Sequence, residues 1–419
     1  MPLRLSTIAL DGAGLSLLEH LPENPLAYIR GGDGLVGWGE AVRLEAHGPN
    51  RIQDLSAQWQ ALAAAAEVDD QVKLPGSGLV AFGSIAFADS SETSSALIVP
   101  KVLLGLRDGR AWLTTVELDA DGHSVDASGA GKFWQTPTPC VSNSPVALHS
   151  GAQSALAFKI SVEKAVTAIT DGGLEKVVLA RDLVGELPAD FDIRASLNKL
   201  ADRFPTCWIY SVDGLFGASP ELLVRVAHGQ VSARVLAGTA GRGTDPEVDK
   251  AISAALAASA KNTTEHAFAV DSLVQTLAPF CEHVDADPKP FSLALPNLWH
   301  LASDVHGVLR DEASVLDLAA ALHPTAAVAG TPRLEAQQLL AELEPFDRGR
   351  YAGPVGWIGA DGDGEWAIAL RGAQLEAGAE GGLRSIRAFA GCGIVAGSEP
   401  EAELAETELK FSPIREALS

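Results

Sequence analysis

Short apolar runs follow one another along this chain, with helical segments between groups of runs and not between every pair, and that arrangement restricts the fold more than any other feature. Leu79 to Phe87, Ala96 to Leu104 and Ala111 to Leu118 are strand-like and are separated only by clusters of Gly, Asp and Ser. Beyond an Ala-rich helical segment at Ala61 to Ala66, helical spacing is marked where Phe158, Val162, Ala165, Val166 and Ile169 share one face and Asp171-Gly172-Gly173 ends the helix before a strand from Leu174 to Leu183. Further strand-like runs stand at Cys207 to Val212 and Leu222 to Val226, and helices are predicted from Pro246 to about Ala260 and from Asn262 to about Phe280. Strands return at Val355 to Ala360, Trp366 to Leu370 and Ser385 to Ala390, and a last helix begins near Ser398. The order predicts α+β layering instead of strict βαβ alternation. A loop rich in Pro, Thr and Ser, Gln135 to Pro145, separates a β-rich portion, residues 1–150, from the remainder, 151–419.

Charge and apolar content exclude several classes. The 419 residues carry 31 Lys plus Arg against 54 Asp plus Glu, a formal charge of −23, with 47% hydrophobic residues. That is globular composition and not disorder. With no basic run, no nucleic-acid partner is expected, and an anionic ligand must be captured by local groups. No stretch of roughly 18 uncharged apolar residues occurs, and residues Met1 to Asp11 lack a signal-like pattern, so a cytoplasmic protein without membrane association is expected. Cys140, Cys207, Cys281 and Cys392 form no CxxC pair, which argues against a disulfide framework or structural zinc and predicts small buried side chains.

Several segments bear on chemistry. Gly32-Asp33-Gly34-Leu35-Val36-Gly37 spells GxGxxG, but a dinucleotide site needs a helix opening at the glycines, and the strand-like Trp38 to Leu44 that follows predicts a hairpin. Lys176 lies in the apolar strand Leu174 to Ala180; burial would lower its pKa toward that of a general base, while an edge-strand lysine reaching solvent is the ordinary alternative. Glu221 opens a second apolar strand after Pro220, where a raised carboxyl pKa would suit an acid and a salt-bridged strand end is the ordinary alternative. Leu236 to Gly243 and Ala390-Gly391-Cys392-Gly393 allow backbone N–H groups to approach an anion closely, or are plain glycine turns. Glu399, Glu403 and Glu406, spaced i, i+4, i+7, lie on one helical face, either as a solvated acidic surface or as ligands of a hard cation to which Glu265 could add another.

Taken in order, Glu175-Lys176-Val177-Val178-Leu179-Ala180-Arg181, Ser219-Pro220-Glu221-Leu222-Leu223, Ala237-Gly238-Thr239, Ser259 to His266, His323-Pro324-Thr325, Ala390 to Val395 and Ser398 to Thr407 resemble the chorismate-utilising enzymes over about residues 155 to 419. The resemblance implies one large α+β domain, an α/β sandwich of two antiparallel sheets packed between helices, with residues 1–150 as its β-rich N-terminal portion and 151–419 as its chorismate-binding portion. It also implies a magnesium-dependent isomerase, often monomeric, that converts chorismate to isochorismate by adding water at C2 and expelling the C4 hydroxyl. Lysine in the KVVL block marks members that activate water, and Ala237 stands where members that transfer an amino group carry a nucleophilic lysine.

By the same resemblance Lys176 is the base and Glu221 the acid. Glu265, Glu403 and Glu406 hold Mg²⁺, which binds the ring carboxylate with Gly238 and Thr239, while Tyr351, Arg371 and the amide of Gly393 take the enolpyruvyl carboxylate and His300 lines the ring. Ala327 replaces a threonine of the salicylate-forming members, which favours an isomerase that stops at isochorismate; salicylate formation by pyruvate elimination is the alternative. A catalytically silent binding subunit is a further class, against which the joint presence of Lys176, Glu221, Glu265 and Glu406 argues. Menaquinone and catechol siderophore synthesis both stay open as destinations. Asn262 and Ala326 depart from the aspartate and proline usual in their blocks, and Cys392 from the alanine.

Overall fold

A computed structural model describes residues 3–117, 140, 142–294, 298–310, 313–377 and 383–419; within these, the side chains of Glu117, Ala237, Thr239, Lys261, Glu265, Leu298, Ala377, Leu383 and Arg384 lie outside the description. The chain divides into two compact units, one formed by residues 1–221, 323–360 and 367–419, the other by 222–322 and 361–366.

The first unit contains a 13-stranded sheet. From one edge its order is His149–Ser150, Lys176–Glu186, Leu383–Ile394, Gly372–Ala377, Leu215–Ser219, Trp208–Val212, Leu26–Arg30, Asp33–Trp38, Val102–Arg107, Arg110–Glu117, Arg4–Leu10 and Glu67–Asp70, with Gly330–Thr331 pairing beside Lys176–Glu186. Every pair is antiparallel except Arg4–Leu10 with Glu67–Asp70. The same unit pairs Val42–Ala46, Ser95–Val99, Val80–Ser84 and Pro354–Gly359 in a second antiparallel set. Helices Ala155–Thr170, Ile193–Arg203 and Pro400–Ala417 pack on the 13-stranded sheet, and Ile193, Leu197, Phe411 and Ile414 join Ile29, Val36, Leu104 and Ile209 in one buried cluster.

Local residues account for these elements. Ser154 caps the first of those helices by accepting from Ala157 N at 3.1 Å, and Phe158, Val162, Ala165 and Ile169 form its buried stripe. The GxGxxG segment does lie in a hairpin, but its second strand is Asp33–Trp38, within the motif, and not Trp38 to Leu44, which Gly39 with positive φ breaks before Val42–Ala46. Leu26–Arg30 pairs with Asp33–Trp38 across Gly31 and Gly32, both with positive φ, and the glycines open no helix. The run Ala96 to Leu104 is two strands, Ser95–Val99 and Val102–Arg107, because Pro100 has no N–H for the ladder and Lys101 N turns to Trp38 O at 3.0 Å. All four cysteines are free, and Cys281 and Cys392 are buried as expected. Cys140 is exposed, in the Pro/Thr/Ser-rich loop, and Cys207 is partly covered.

In the second unit Cys281–Ala286, Leu298–Leu309, Gln230–Gly241 and Leu222–Ala227 pair in that order, with Phe291–Ala294 also against Leu298–Leu309. Helices Pro246–Ala258, Ala260–Leu277 and Val315–Leu322 pack on these strands. Among the described residues, no helix is long and apolar enough to cross a membrane.

Candidate active site

In the first unit the Lys176–Glu186 strand is buried along nearly its whole length, as its apolar run requires, and Lys176 stands half-buried at its first position. Val178 pairs with Gly393 and Ala180 with Gly391 on the neighbouring strand. A Cβ placed on Gly393 would lie 2.7 Å from Lys176 Cε and 3.4 Å from Nζ, so the lysine side chain occupies the space a residue there would fill. One placed on Gly391 would lie 3.3 Å from the Tyr351 hydroxyl and 2.8 Å from Leu179 O. Strand alternation thus opens one face beneath Lys176 and Tyr351 and sends Cys392 to the other, where its thiol donates to Glu403 O at 3.7 Å.

Glu221 follows Leu215–Ser219. Its N–H donates to Ser219 Oγ at 3.2 Å and its carbonyl accepts from Ile368 N at 3.0 Å, while Ser219 Oγ donates to Ile368 O at 2.6 Å. Burial pushes the Glu221 carboxyl above its usual value, against the pull of Lys176, then Lys410 and Arg371. The same four side chains therefore share one electrostatic neighbourhood. Burial lowers Arg371, with Tyr351, Cys207, Glu406 and Glu221 opposing. Arg371 has φ +53°, a left-handed backbone that arginine rarely adopts, tied by Ala218 N donating to Arg371 O at 3.3 Å. Tyr351 is buried, stacked on Phe389 with centroids 5.0 Å apart, and burial pushes its hydroxyl up to about 12.

On helix Pro400–Ala417, Glu403 and Glu406 project one turn apart. Glu403 Oε2 is buried with no hydrogen-bond partner among the described residues, and Glu406 pairs with Lys410 at 2.7 Å. Lys410 Nζ also donates to Gly391 O at 2.7 Å, which makes it a member of the site that motif reading passed over; its i, i+4 spacing from Glu406 was the available signal. An unmet buried carboxylate oxygen with a second carboxylate one helical turn along suits a hard divalent cation, which would compete with Lys410 for Glu406. Among the described residues no group of three His, Cys, Asp or Glu could hold a metal, and the side chain of the third expected ligand, Glu265, lies outside the description.

Ala327 is exposed in the turn where Val328 N and Ala329 N both donate to Thr325 O, at 3.1 and 3.0 Å. Arg350, a competing cation near Tyr351, is committed elsewhere: it donates to Ser94 O at 3.0 Å and pairs with Asp213 at 2.7 Å. Arg181, two turns of the pleat beyond Val177, is buried and donates to Thr407 Oγ1 at 3.3 Å and Glu408 Oε1 at 2.5 Å, which ties the lysine strand to the glutamate helix.

The remaining expected residues belong to the second unit. Gly238 has φ +86° in a bulge between Leu236 and Thr239, where a Cβ would meet Asn262 Cβ at 3.3 Å. Thr239 pairs in register with His300, which is half-buried, and Glu265 is on helix Ala260–Leu277. The side chains of Thr239 and Glu265 lie outside the described residues.

A family model described as chorismate binding enzyme matches residues 19–419. The isochorismate synthase DhbC of Bacillus subtilis is 40% identical over 273 residues, 62% of this chain and 67% of that protein. The isochorismate synthase MenF of the same organism is 30% identical over 406 residues, 92% of this chain and 85% of MenF. The solved structure of MenF, the menaquinone-specific isochorismate synthase from Escherichia coli, aligns with a TM-score of 0.79 at 26% identity over 100% of this chain and 95% of that one.

Proposed function

We propose that this chain, which belongs to the chorismate binding enzyme family, isomerises chorismate to isochorismate. Lys176 accepts a proton from water as the water oxygen bonds to C2, the conjugated ring double bonds shift, and the C4–O bond breaks as Glu221 protonates the departing hydroxyl. One water is taken up and one released. The observation that carries this reading is the placement of Lys176 over Gly393, close enough to the Glu221 carboxyl to act on its charge while burial pushes that carboxyl up, because the two steps need a base and an acid in one neighbourhood at one pH.

Arg371 would hold the enolpyruvyl carboxylate by its planar fork, with Tyr351 and the Gly393 amide, while Gly238 and Thr239 would contact the ring carboxylate and His300 the ring. Glu403, with its unmet oxygen, and Glu406 would hold Mg²⁺, with Glu265 as a further ligand. When bound, the cation supplies a hard positive charge for the ring carboxylate and offsets the local carboxylate repulsion.

Incubation of the purified protein with chorismate and Mg²⁺, followed by chromatography and mass analysis, should yield isochorismate. Salicylate as the main product would replace this reading with isomerisation followed by pyruvate elimination. Lys176→Ala should lower turnover by about 10² to 10⁴ with the fold and chorismate binding retained. Near-native activity of the folded variant would mean that water is activated elsewhere.

A further inference from the structure

The outer edge of the Lys176–Glu186 strand is covered in two pieces. Gly330–Thr331 pairs with Lys176 and Val177, and His149–Ser150 with Leu183 and Val184. Val178 N still donates to Ala329 O at 2.9 Å, and beyond that bond the edge is closed by side chains: Arg348 Nη2 donates to Val178 O at 2.6 Å, and Ala180 N donates to Glu344 Oε1 at 2.8 Å. One donor and one acceptor at alternate residues are what an adjacent strand would present. The two groups are locked to each other, Arg348 Nε to Glu344 Oε2 at 2.8 Å and Nη2 to Oε1 at 2.6 Å, with side chains 3% and 5% exposed. Arg348 Nη1 also donates to Val328 O at 2.9 Å in the turn that carries Ala327, and its guanidinium lies 4.4 Å from the Phe87 ring centroid. Tyr351 N donates to Arg348 O at 3.0 Å, so the backbone of the same arginine seats Tyr351.

We propose that the buried Glu344–Arg348 pair is a positioning element for Lys176, its two side chains standing in for a strand along residues 178–180 and holding the lysine end of the strand over Gly393. A buried ion pair is weak support for stability in itself, since desolvating both charges offsets much of their attraction. Its geometry locates its effect two residues from the lysine, at the point where the ladder would otherwise lapse. The inference rests on the reading of Lys176 as the base. Arg348 is a positioning residue: its guanidinium bonds go to Val178 O, Val328 O and Glu344, none of them a reacting atom.

The test is a double-mutant cycle with pH profiles. Arg348→Lys keeps the charge opposite Glu344, but a single ammonium cannot serve Val178 O, Val328 O and both carboxylate oxygens in the fork geometry. Its kcat should fall by about 10²-fold, the cost of a base displaced on the ångström scale, with KM little changed and the acid limb of the kcat/KM profile displaced. Glu344→Gln, which retains an acceptor for Ala180 N, should show a smaller effect of the same kind. In a Lys176→Ala background the additional loss from Arg348→Lys should vanish.

If both folded variants lose kcat only in proportion to their unfolded fraction, with the acid limb unmoved, the pair is merely structural and the proposal fails. Full additivity with Lys176→Ala also overturns it while leaving the base reading intact, whereas near-native activity of Lys176→Ala alone overturns the base reading first. Should the Lys176→Ala rate fall below detection, the pH profiles and the split between kcat and KM decide. Failure of both variants to fold, seen by far-ultraviolet circular dichroism, would make the pair a requirement of the fold and refute the narrower role.

Discussion

Substituting the two glycines that flank Cys392 separates the position of Lys176 from the integrity of the sheet. In Gly393→Ala the new Cβ would stand 2.7 Å from Lys176 Cε, whereas ordinary van der Waals contact begins at 3.4 Å. The lysine must therefore retreat by about 0.7 Å. The intruded atom is the far end of a flexible side chain, so relief by rotation should cost at most about 1 kcal/mol of stability. Catalysis is less forgiving, because a misplacement near 1 Å costs about 10²-fold, and a loss of about 10- to 100-fold in kcat is expected. Gly391→Ala supplies the contrast: its Cβ would come 2.8 Å from Leu179 O, a backbone atom that cannot rotate away, and overpacking of that kind costs about 1 to 3 kcal/mol. Steady-state kinetics with chorismate and thermal unfolding of both variants are the assay. A native kcat in Gly393→Ala, or a loss of kcat and melting temperature in the same proportion as in Gly391→Ala, would refute the argument that this glycine makes room for the lysine.

Arg371→Lys should weaken chorismate binding by about 1 to 3 kcal/mol if the pair is desolvated, Arg371→Ala should do more and Tyr351→Phe less; calorimetry checks this, and an unchanged dissociation constant in Arg371→Ala would move the enolpyruvyl carboxylate elsewhere. Activity should vanish in EDTA and return with magnesium but not zinc, since the proposed ligands are all carboxylate oxygens; full activity after exhaustive chelation would sink the metal assignment. The folded pKa of Glu221 is raised, so its ionisation opposes folding: the penalty is absent below the unfolded carboxyl pKa of about 4.3 and grows as pH rises toward the folded value. Glu221→Gln should thus raise the melting temperature more at pH 8 than at pH 4 while abolishing turnover, and equal shifts at both pH values would contradict the raised pKa.

Legibility from residues alone varied with the range of the interaction. Lys176 is visible as a charged residue inside an apolar strand and Glu221 as one at the start of another, whereas Gly391-Cys392-Gly393 reads as a glycine turn or anion loop and instead continues the strand Leu383–Ile394, because two glycines hide the alternation of faces. What residue patterns could not supply was the partner of a long-range contact. Glu344 and Arg348 look like an ordinary i, i+4 surface pair, yet they bond to Ala180 and Val178, more than 160 residues away. The split at Pro100 was missed because both flanking runs are apolar and buried, which hides a change of sheet from a pattern of hydrophobicity. The roles of Gly238, Thr239, Glu265 and His300 rest on motif resemblance, since single side chains on strands and helices carry no periodic signal.

The strand order of the 13-stranded sheet has a consequence for biosynthesis. Ile29 pairs with Ile209, and Val177 with Ile394, so strands made early wait for partners made much later. At 5 to 20 residues per second a ribosome takes about 10 to 40 s to deliver either partner. Through that interval Leu26–Arg30 and then Lys176–Glu186 present unpaired, apolar edges that could join another nascent chain. Translation speed and holdase capacity, more than the stability of the finished enzyme, would then govern how much of it is recovered from a cell.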